Sequence, residues 1–163
     1  ELAFSPPYLH NIAVMVTHEA IPELPAMEAI GGHFEGLTAL PFAGTLHATR
    51  LEAIAARWMP GMASREVMSN DALIDLLAEG GHFGYVDAYN FWRAVDAGKP
   101  LRRHAAGDDG DEAFGVILPL DSDWLPALDD FFRSGDGYIG GERYRAHLRT
   151  HLGPALADLL SRD

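Results

Sequence analysis

Two short stretches of the 163-residue sequence carry residue types that together could hold a small zwitterion. Gly44-Thr45-Leu46-His47 offers a hydroxyl group and, where a helix begins, backbone N–H groups without a partner inside that helix. These donors suit a carboxylate. Asp87, if ionised and close to them, suits an ammonium group. The two stretches therefore match the head group of an amino acid.

A plainer interpretation accounts for the same residues. Thr45 and Asp87 both precede helix-like segments, where hydroxyl and carboxylate side chains commonly cap the first turn. Spacing alone favours two ordinary helix caps over a binding site. The choice between the two interpretations depends on where the surrounding elements place these residues.

The elements around the two stretches predict that both lie at one edge of a sheet. Strand-like apolar runs at residues 12–16, 37–42, 65–68 and 82–86 alternate with segments whose apolar residues recur at helical spacing. This alternation predicts an α/β fold with a mostly parallel sheet covered on both faces. Ligands bind such sheets at the carboxyl ends of the strands, which is where Thr45 and Asp87 stand.

The last third of the chain predicts packing elements. The acidic run at 107–112 lacks the ligand spacing of a calcium loop and predicts a solvated loop. A strand over 114–120, a helix capped by Ser122, and helices over 144–152 and 155–160 follow.

Composition argues against several classes of function. The 24 Asp and Glu residues outnumber the 12 Lys and Arg residues, and this net charge of −12 repels nucleic acids and anionic lipids. No apolar run approaches the ~20 residues of a membrane-spanning helix, and there are no cysteines. Among the eight histidines, His147 and His151 share a helix face, but two ligands do not make a zinc site. Exposed histidines are the favoured interpretation of that pair.

Four segments, taken in order, carry a resemblance to a known family. They are Phe4-Ser5-Pro6-Pro7-Tyr8 with the apolar run to Val16, Phe34-Glu35-Gly36-Leu37 to Thr45, Gly81 to Asp87, and Phe114-Gly115-Val116 to Leu120. Their order and spacing resemble the type 2 periplasmic solute-binding proteins, the bacterial family 3 group that includes binders of polar amino acids. The resemblance covers nearly the whole chain.

This resemblance implies an α/β fold of the periplasmic binding protein-like type II class, made of the second lobe with hinge strands and C-terminal helices of the first lobe. Residues 1–16 would be a hinge strand and a remnant of lobe 1, and 17–112 would form lobe 2. Residues 113–163 would supply the return strand and the C-terminal helices of lobe 1. Most of lobe 1 would lie upstream of Glu1, in keeping with a sequence that opens without methionine or a signal peptide.

The family's ligand-binding residues, carried onto this sequence, fall on five positions. Thr45 and the backbone N–H of Leu46 would take the carboxylate, and Asp87 would take the ammonium group. Phe42 and His47 would face the ligand's side chain. The sequence departs from the family at Leu46, where a hydroxyl residue is common, and at His47, where glutamine is common. The resemblance therefore leaves the identity of the ligand open.

The function implied is capture of a small polar solute, an amino acid or a similar zwitterion, by hinge closure. The protein partner would be a membrane transporter permease for ABC-type uptake or the signalling module of a receptor, in a periplasmic or extracytoplasmic location. No cofactor, metal, nucleic acid or direct membrane insertion is implied. Two alternatives remain: a dehydratase-like enzyme using His47 or His82 as acid or base, and a folding or interaction unit that binds nothing unaided.

Overall fold

The computed structural model describes residues 1–161 and divides the chain into two compact units. Unit 2 is the continuous segment Ala13–Asp109, and unit 1 combines residues 1–12 with the chain from Gly110 onward. The chain therefore crosses between the units twice. The division expected from the sequence, with lobe 2 over 17–112, stays a prediction, and its final segment, 113–163, extends two residues past the described ones.

The described residues form short strands and helices that alternate through most of the chain. The strands are β1 (Leu2–Phe4), β2 (Leu9–His18), β3 (Thr38–Ala39), β4 (His82–Asp87), β5 (Leu101–Arg103), β6 (Asp109–Phe114) and β7 (Ile117–Pro119). The α-helices are α1 (Ile30–His33), α2 (Leu46–Trp58), α3 (Asn70–Glu79), α4 (Ala88–Asp96), α5 (Leu125–Arg133), α6 (Glu142–Leu152) and α7 (Pro154–Leu160). Two 3-10 helices, Met27–Ala29 and Ala105–Gly107, complete the set.

The larger sheet has the strand order β3-β4-β2-β5, and β6 also pairs with β2. β3 runs parallel to β4, with Thr38 opposite His82. β2 runs antiparallel to β4 and to β5, with Ala13 opposite Asp87. The α/β class is confirmed, but the expectation of a mostly parallel sheet is wrong. Apolar runs mark strands without giving their direction, and β2 runs against β4 as the chain enters unit 2 from unit 1.

Unit 2 has a continuous apolar core. Residues 13–16 of β2 are completely buried because helices cover both faces of the sheet at this point. Leu51 and Ile54, which the helical spacing of α2 predicted as core residues, are also buried. The sequence favours Ser69 or Asn70 as the N-cap of α3, and the structure has Ser69, whose Oγ accepts a hydrogen bond from the backbone N–H of Ala72 at 3.2 Å. This core fixes the strands whose ends carry the candidate site.

Unit 1 is built from a two-stranded antiparallel sheet, β1 with β7, and from α5, α6 and α7. The two predicted C-terminal helices are confirmed as α6 and α7, and α7 supplies the buried residues Leu156, Ala157, Leu159 and Leu160. The single predicted strand over 114–120 is wrong, because β6 ends at Phe114 and a separate β7 follows. Ser122 does not cap α5. Its Oγ accepts from the N–H of Trp124 in the turn before that helix.

Two further expectations are corrected in unit 2. The acidic run at 107–112 is not a solvated loop: β6 begins at Asp109, while Asp108 and Asp109 form ion pairs with Arg103 and Arg50. The pair of Asp109 with Arg50 spans 59 residues and leaves no signal in local sequence. The predicted strand at 65–68 forms one isolated bridge, between Val67 and Phe42.

Candidate functional site

A glycine turn sets the start of α2. The extended chain after β3 continues to Phe42, whose carbonyl accepts hydrogen bonds from the Thr45 hydroxyl at 2.8 Å and the Thr45 N–H at 3.3 Å. Gly44 has φ +72°, a left-handed conformation that glycine adopts without strain. The turn holds Thr45 in an extended conformation at the N-cap position of α2.

Asp87 holds the matching position before α4. It is the last residue of β4 and the N-cap residue of that helix. Neither Asp87 nor Thr45 makes a side-chain capping hydrogen bond. The interpretation of these two residues as ordinary caps therefore describes their backbone positions but not what their side chains do.

A contact between His47 and Asp87 joins the two stretches. Nε2 of His47 lies 3.4 Å from Oδ1 of Asp87, a long polar contact, and the side chains are 7% and 30% exposed. His47 is the second residue of α2, so the first turn of that helix and the end of β4 lie at the same edge of the sheet. The structure thus brings together the two stretches that the sequence singled out.

The remaining predicted residues flank this contact along the chain. Leu46, at the first position of α2, is 60% exposed, and Phe42 is half-buried beside Val67. The ligand-binding roles assigned to Phe42, Thr45, Leu46, His47 and Asp87 stay predictions.

Arg50 lies one helical turn beyond His47 and contacts it. Nη1 of Arg50 is 3.1 Å from Nδ1 of His47, while Nε of Arg50 donates to a carboxylate oxygen of Asp109. Tyr85 lies alongside both: its ring stacks with His47 at a centroid distance of 6.3 Å, and the guanidinium carbon of Arg50 is 5.9 Å from the ring centroid. The imidazole is therefore held by an arginine and an aromatic ring.

Tyr85 connects the cluster of His47 and Arg50 to the segment before β6 through a hydrogen bond. Its hydroxyl donates to the carbonyl of Gly107 at 2.7 Å. Burial, with a smaller contribution from the nearby Asp109 carboxylate, raises the pKa of Tyr85 to about 12. The phenol therefore stays protonated near neutral pH and keeps donating to that carbonyl.

Sequence reasoning missed Arg50, Tyr85 and Asp109. Two of them had a usable signal: Arg50 stands three residues after His47 on a helix, and Tyr85 stands two residues before Asp87 on a strand. Each spacing puts the pair on a common face. No such signal marked Asp109, because it lies 59 residues after its partner Arg50 in the sequence.

The structure also bears on two other features considered in the sequence, a metal site and a membrane-spanning helix. Among the side chains that the structure describes, no group of three or more His, Asp or Glu is arranged to hold a metal ion. His147 and His151 are exposed, as expected, and their rings stack with centroids 6.2 Å apart. Within the described part of the chain, no helix combines the length and apolar character needed to cross a bilayer.

Comparison with known proteins gives structural likeness but no sequence match. No protein-family model matches the chain, and no curated protein matches it. An ancestral arginine-binding protein bound to arginine superposes with a TM-score of 0.65 at 13% identity, over 91% of this chain and 63% of that one. The arginine-, lysine-, histidine-binding protein ArtJ from Geobacillus stearothermophilus gives 0.61 at 20% identity, over 99% and 67%.

A third likeness is to substrate-binding domain 2 of GlnP from Lactococcus lactis, with a TM-score of 0.63 at 17% identity, over 99% of this chain and 63% of that one. The chain thus spans about two thirds of the length of these structures. These neighbours are amino-acid-binding domains of the type 2 solute-binding class. The arrangement of strands and helices in this chain is accordingly the periplasmic-binding-protein-like type II fold.

Proposed function

We propose that this chain belongs to a solute-binding protein or domain and that the edge formed by α2 and β4 binds an amino acid or a similar zwitterion. The N–H of Leu46 receives the carboxylate together with the Thr45 hydroxyl, which turns to it from the carbonyl of Phe42. Asp87 receives the ammonium group, and Phe42 and His47 face the ligand's side chain. The family resemblance implies that the ligand is captured by hinge closure. Its capture would serve ABC-type uptake or ligand sensing. A transporter permease or a receptor signalling module is then the protein partner, in a periplasmic or extracytoplasmic setting.

The observation that carries this proposal is the 3.4 Å contact between His47 and Asp87. Because of it, the donor-rich start of a 13-residue helix and a partly exposed carboxylate lie at one edge. A zwitterion requires donors for its negative end and an acceptor for its positive end a few ångströms away. The solved structures with this fold support the same class of ligand, since their names describe binding of arginine, lysine, histidine or glutamine.

The dehydratase-like alternative gains little from the same geometry. His47 does have a carboxylate neighbour, which the sequence did not reveal, but its Nδ1 faces the Arg50 guanidinium and its Nε2 faces Asp87. A general base needs a lone pair directed at the substrate. His82 stands at the opposite end of β4 from Asp87, with its Nδ1 3.1 Å from the carbonyl of Leu76. Neither histidine is arranged as a base at this edge.

The test is the thermal stability of the intact protein with each of the twenty amino acids. A ligand at one hundred times its dissociation constant adds about 2.7 kcal/mol to the free energy of unfolding. Asp87→Asn keeps the size of the side chain and removes its charge, so it is expected to abolish the stabilisation while leaving the unliganded protein folded. Asp71→Asn, which removes a carboxylate from the first turn of α3, is the matched control.

The proposal fails if no amino acid stabilises the parent protein. It also fails if Asp87→Asn responds to the same amino acid as strongly as the parent and Asp71→Asn do.

A further inference from the structure

A line of polar contacts runs through unit 2 from Asp109 to Asp87. The Asp109 carboxylate accepts from Nε of Arg50, Nη1 of Arg50 lies 3.1 Å from Nδ1 of His47, and Nε2 of His47 faces Asp87. The side chains in the middle of the line, Arg50 and His47, are only 12% and 7% exposed, whereas the carboxylates at its two ends are partly exposed. Among its members, the proposed function uses only His47 and Asp87.

The identity of the arginine determines the tautomer of the histidine. A guanidinium group can only donate hydrogen bonds and stays charged at every accessible pH. Nδ1 of His47 must therefore accept from Arg50 and cannot carry a proton while this contact exists. In a neutral imidazole the single proton then lies on Nε2, the nitrogen that faces Asp87.

Charged groups alternate along the line. Asp109 forms an ion pair with Arg50, and the Asp87 carboxylate faces Nε2 of His47. An ionised carboxylate at this position suits the ammonium group of a ligand.

We infer that Arg50 and Asp109 are positioning residues that lock His47 as the Nε2–H tautomer, so that its N–H orients the Asp87 carboxylate for the ligand's ammonium group. This inference rests on the proposed function and deepens it, since it specifies which residues position Asp87 for an amine. In this tautomer Nε2 presents a proton, not a lone pair, to Oδ1 of Asp87.

Nitrogen NMR of ¹⁵N-histidine-labelled intact protein at pH 8 tests the lock, because the protonated and unprotonated ring nitrogens have well-separated chemical shifts. The parent protein is expected to show His47 with Nε2 protonated and Nδ1 unprotonated. The double variant Arg50→Met/Asp109→Asn removes both charges of this ion pair together and is expected to give a mixture of tautomers. Arg57→Met is the control, since Arg57 lies on the same helix and packs on Trp58 at 4.4 Å.

Binding of the twenty amino acids to the same proteins gives the second measurement. The double variant is expected to bind the stabilising amino acid about tenfold more weakly than the parent, the loss expected for a charge-assisted hydrogen bond that is no longer held in place. The control is expected to bind like the parent.

A parent protein with Nδ1 of His47 protonated would overturn the inference, whatever the ligand. So would unchanged affinity in the double variant. If no amino acid binds but the tautomer is fixed in the parent and lost in the double variant, the proposed function fails and the lock itself stands.

Discussion

The two units of this chain differ most in how many of their large apolar side chains are buried. In unit 2 most of the large ones are buried, including Phe34, Phe83 and Leu77, and the exposed ones are Leu46, Met68, Tyr89 and Val95. Unit 1 holds most of the large apolar side chains that are exposed among the described residues: Leu2, Phe4, Tyr8, Phe114, Ile117, Leu120, Trp124, Phe131 and Tyr138.

The difference follows from the sheets. A central strand such as β2 has neighbours on both sides and helices on both faces, whereas β1 and β7 pair only with each other among the described residues. A two-stranded sheet is marginally stable alone and buries little. The stability of this chain is therefore expected to reside in unit 2, which also carries the candidate site.

The largest expected effect is the loss of a core ring from unit 2. Phe83 is completely buried on β4 and its ring lies 5.0 Å from that of Phe34. Phe83→Ala should lower the free energy of unfolding by about 3–5 kcal/mol because it leaves a cavity. Phe4→Ala, at a side chain that is 66% exposed in unit 1, should cost less than about 1 kcal/mol. Urea unfolding checks both, and equal losses would break the comparison.

Acid should weaken unit 2 through His104. Burial, assisted by His33 and by the positive charge of Arg102, lowers the pKa of His104 to about 4. Nδ1 of the ring accepts a hydrogen bond from the N–H of Leu24, and Nε2 is hydrogen-bonded to the hydroxyl group of Thr17. Because the folded pKa lies below the usual value near 6.5, this stabilisation is complete above pH 6.5 and is lost as the pH falls through 4. The loss is about 3 kcal/mol.

Urea unfolding between pH 7 and pH 4 measures this effect. His104→Gln should show a shallower decline than the parent, and His147→Gln, at an exposed position of unit 1, should decline like the parent. A parallel decline in His104→Gln would mean that other groups cause the acid sensitivity.

Packing around the backbone should distinguish two glycines on either side of the boundary between the units. A Cβ at Gly107 would lie 2.7 Å from Sδ of Met15, whereas a Cβ at Gly110 would lie 4.0 Å from its nearest neighbour, on Ile12. Gly107→Ala should therefore destabilise by about 1–3 kcal/mol, and Gly110→Ala by less than about 0.5 kcal/mol. Thermal unfolding of the pair checks this, and equal effects would show that the segment around Gly107 can move aside.

The smallest effects are expected where the units should not differ. Asp129 pairs with Arg133 on α5 of unit 1, and Asp75 pairs with Lys99 in unit 2, with all four side chains largely exposed. Asp129→Asn and Asp75→Asn should each change stability by less than about 0.5 kcal/mol, and less still in high salt. Salt-dependent unfolding is the measurement. A large effect at either position would mean that charge as well as burial separates the units.

Local pattern predicted the elements of this chain better than their arrangement. The helical spacing of Leu51 and Ile54 and the capping residue Ser69 are local signals, and the structure contains the helices they predicted. The direction of β2 against β4 is not local, and the mostly parallel sheet expected from alternation was wrong. The acidic run was misassigned because the arginine that pairs with Asp109 lies 59 residues away.

The candidate site shows the same limit. Residue types at two strand ends singled out Thr45 and Asp87, the family resemblance assigned them ligand-binding roles, and helix spacing could have added Arg50. No rule of spacing pairs His47 with Asp87, because that contact depends on how α2 packs beside β4. Contacts between residues far apart in the chain depend on how the strands and helices pack, and a single sequence does not specify that packing.

The two crossings of the chain have a consequence for synthesis. Unit 2 is one uninterrupted segment, so all of it has been made once Asp109 has left the ribosome. Unit 1 is split, and β1 has to wait for β7, in which Pro119 aligns with Leu2. Domains generally fold as units during translation. The nascent chain therefore completes the segment that carries the candidate site first, while the residues of β1 stay unpaired until β7 has been made.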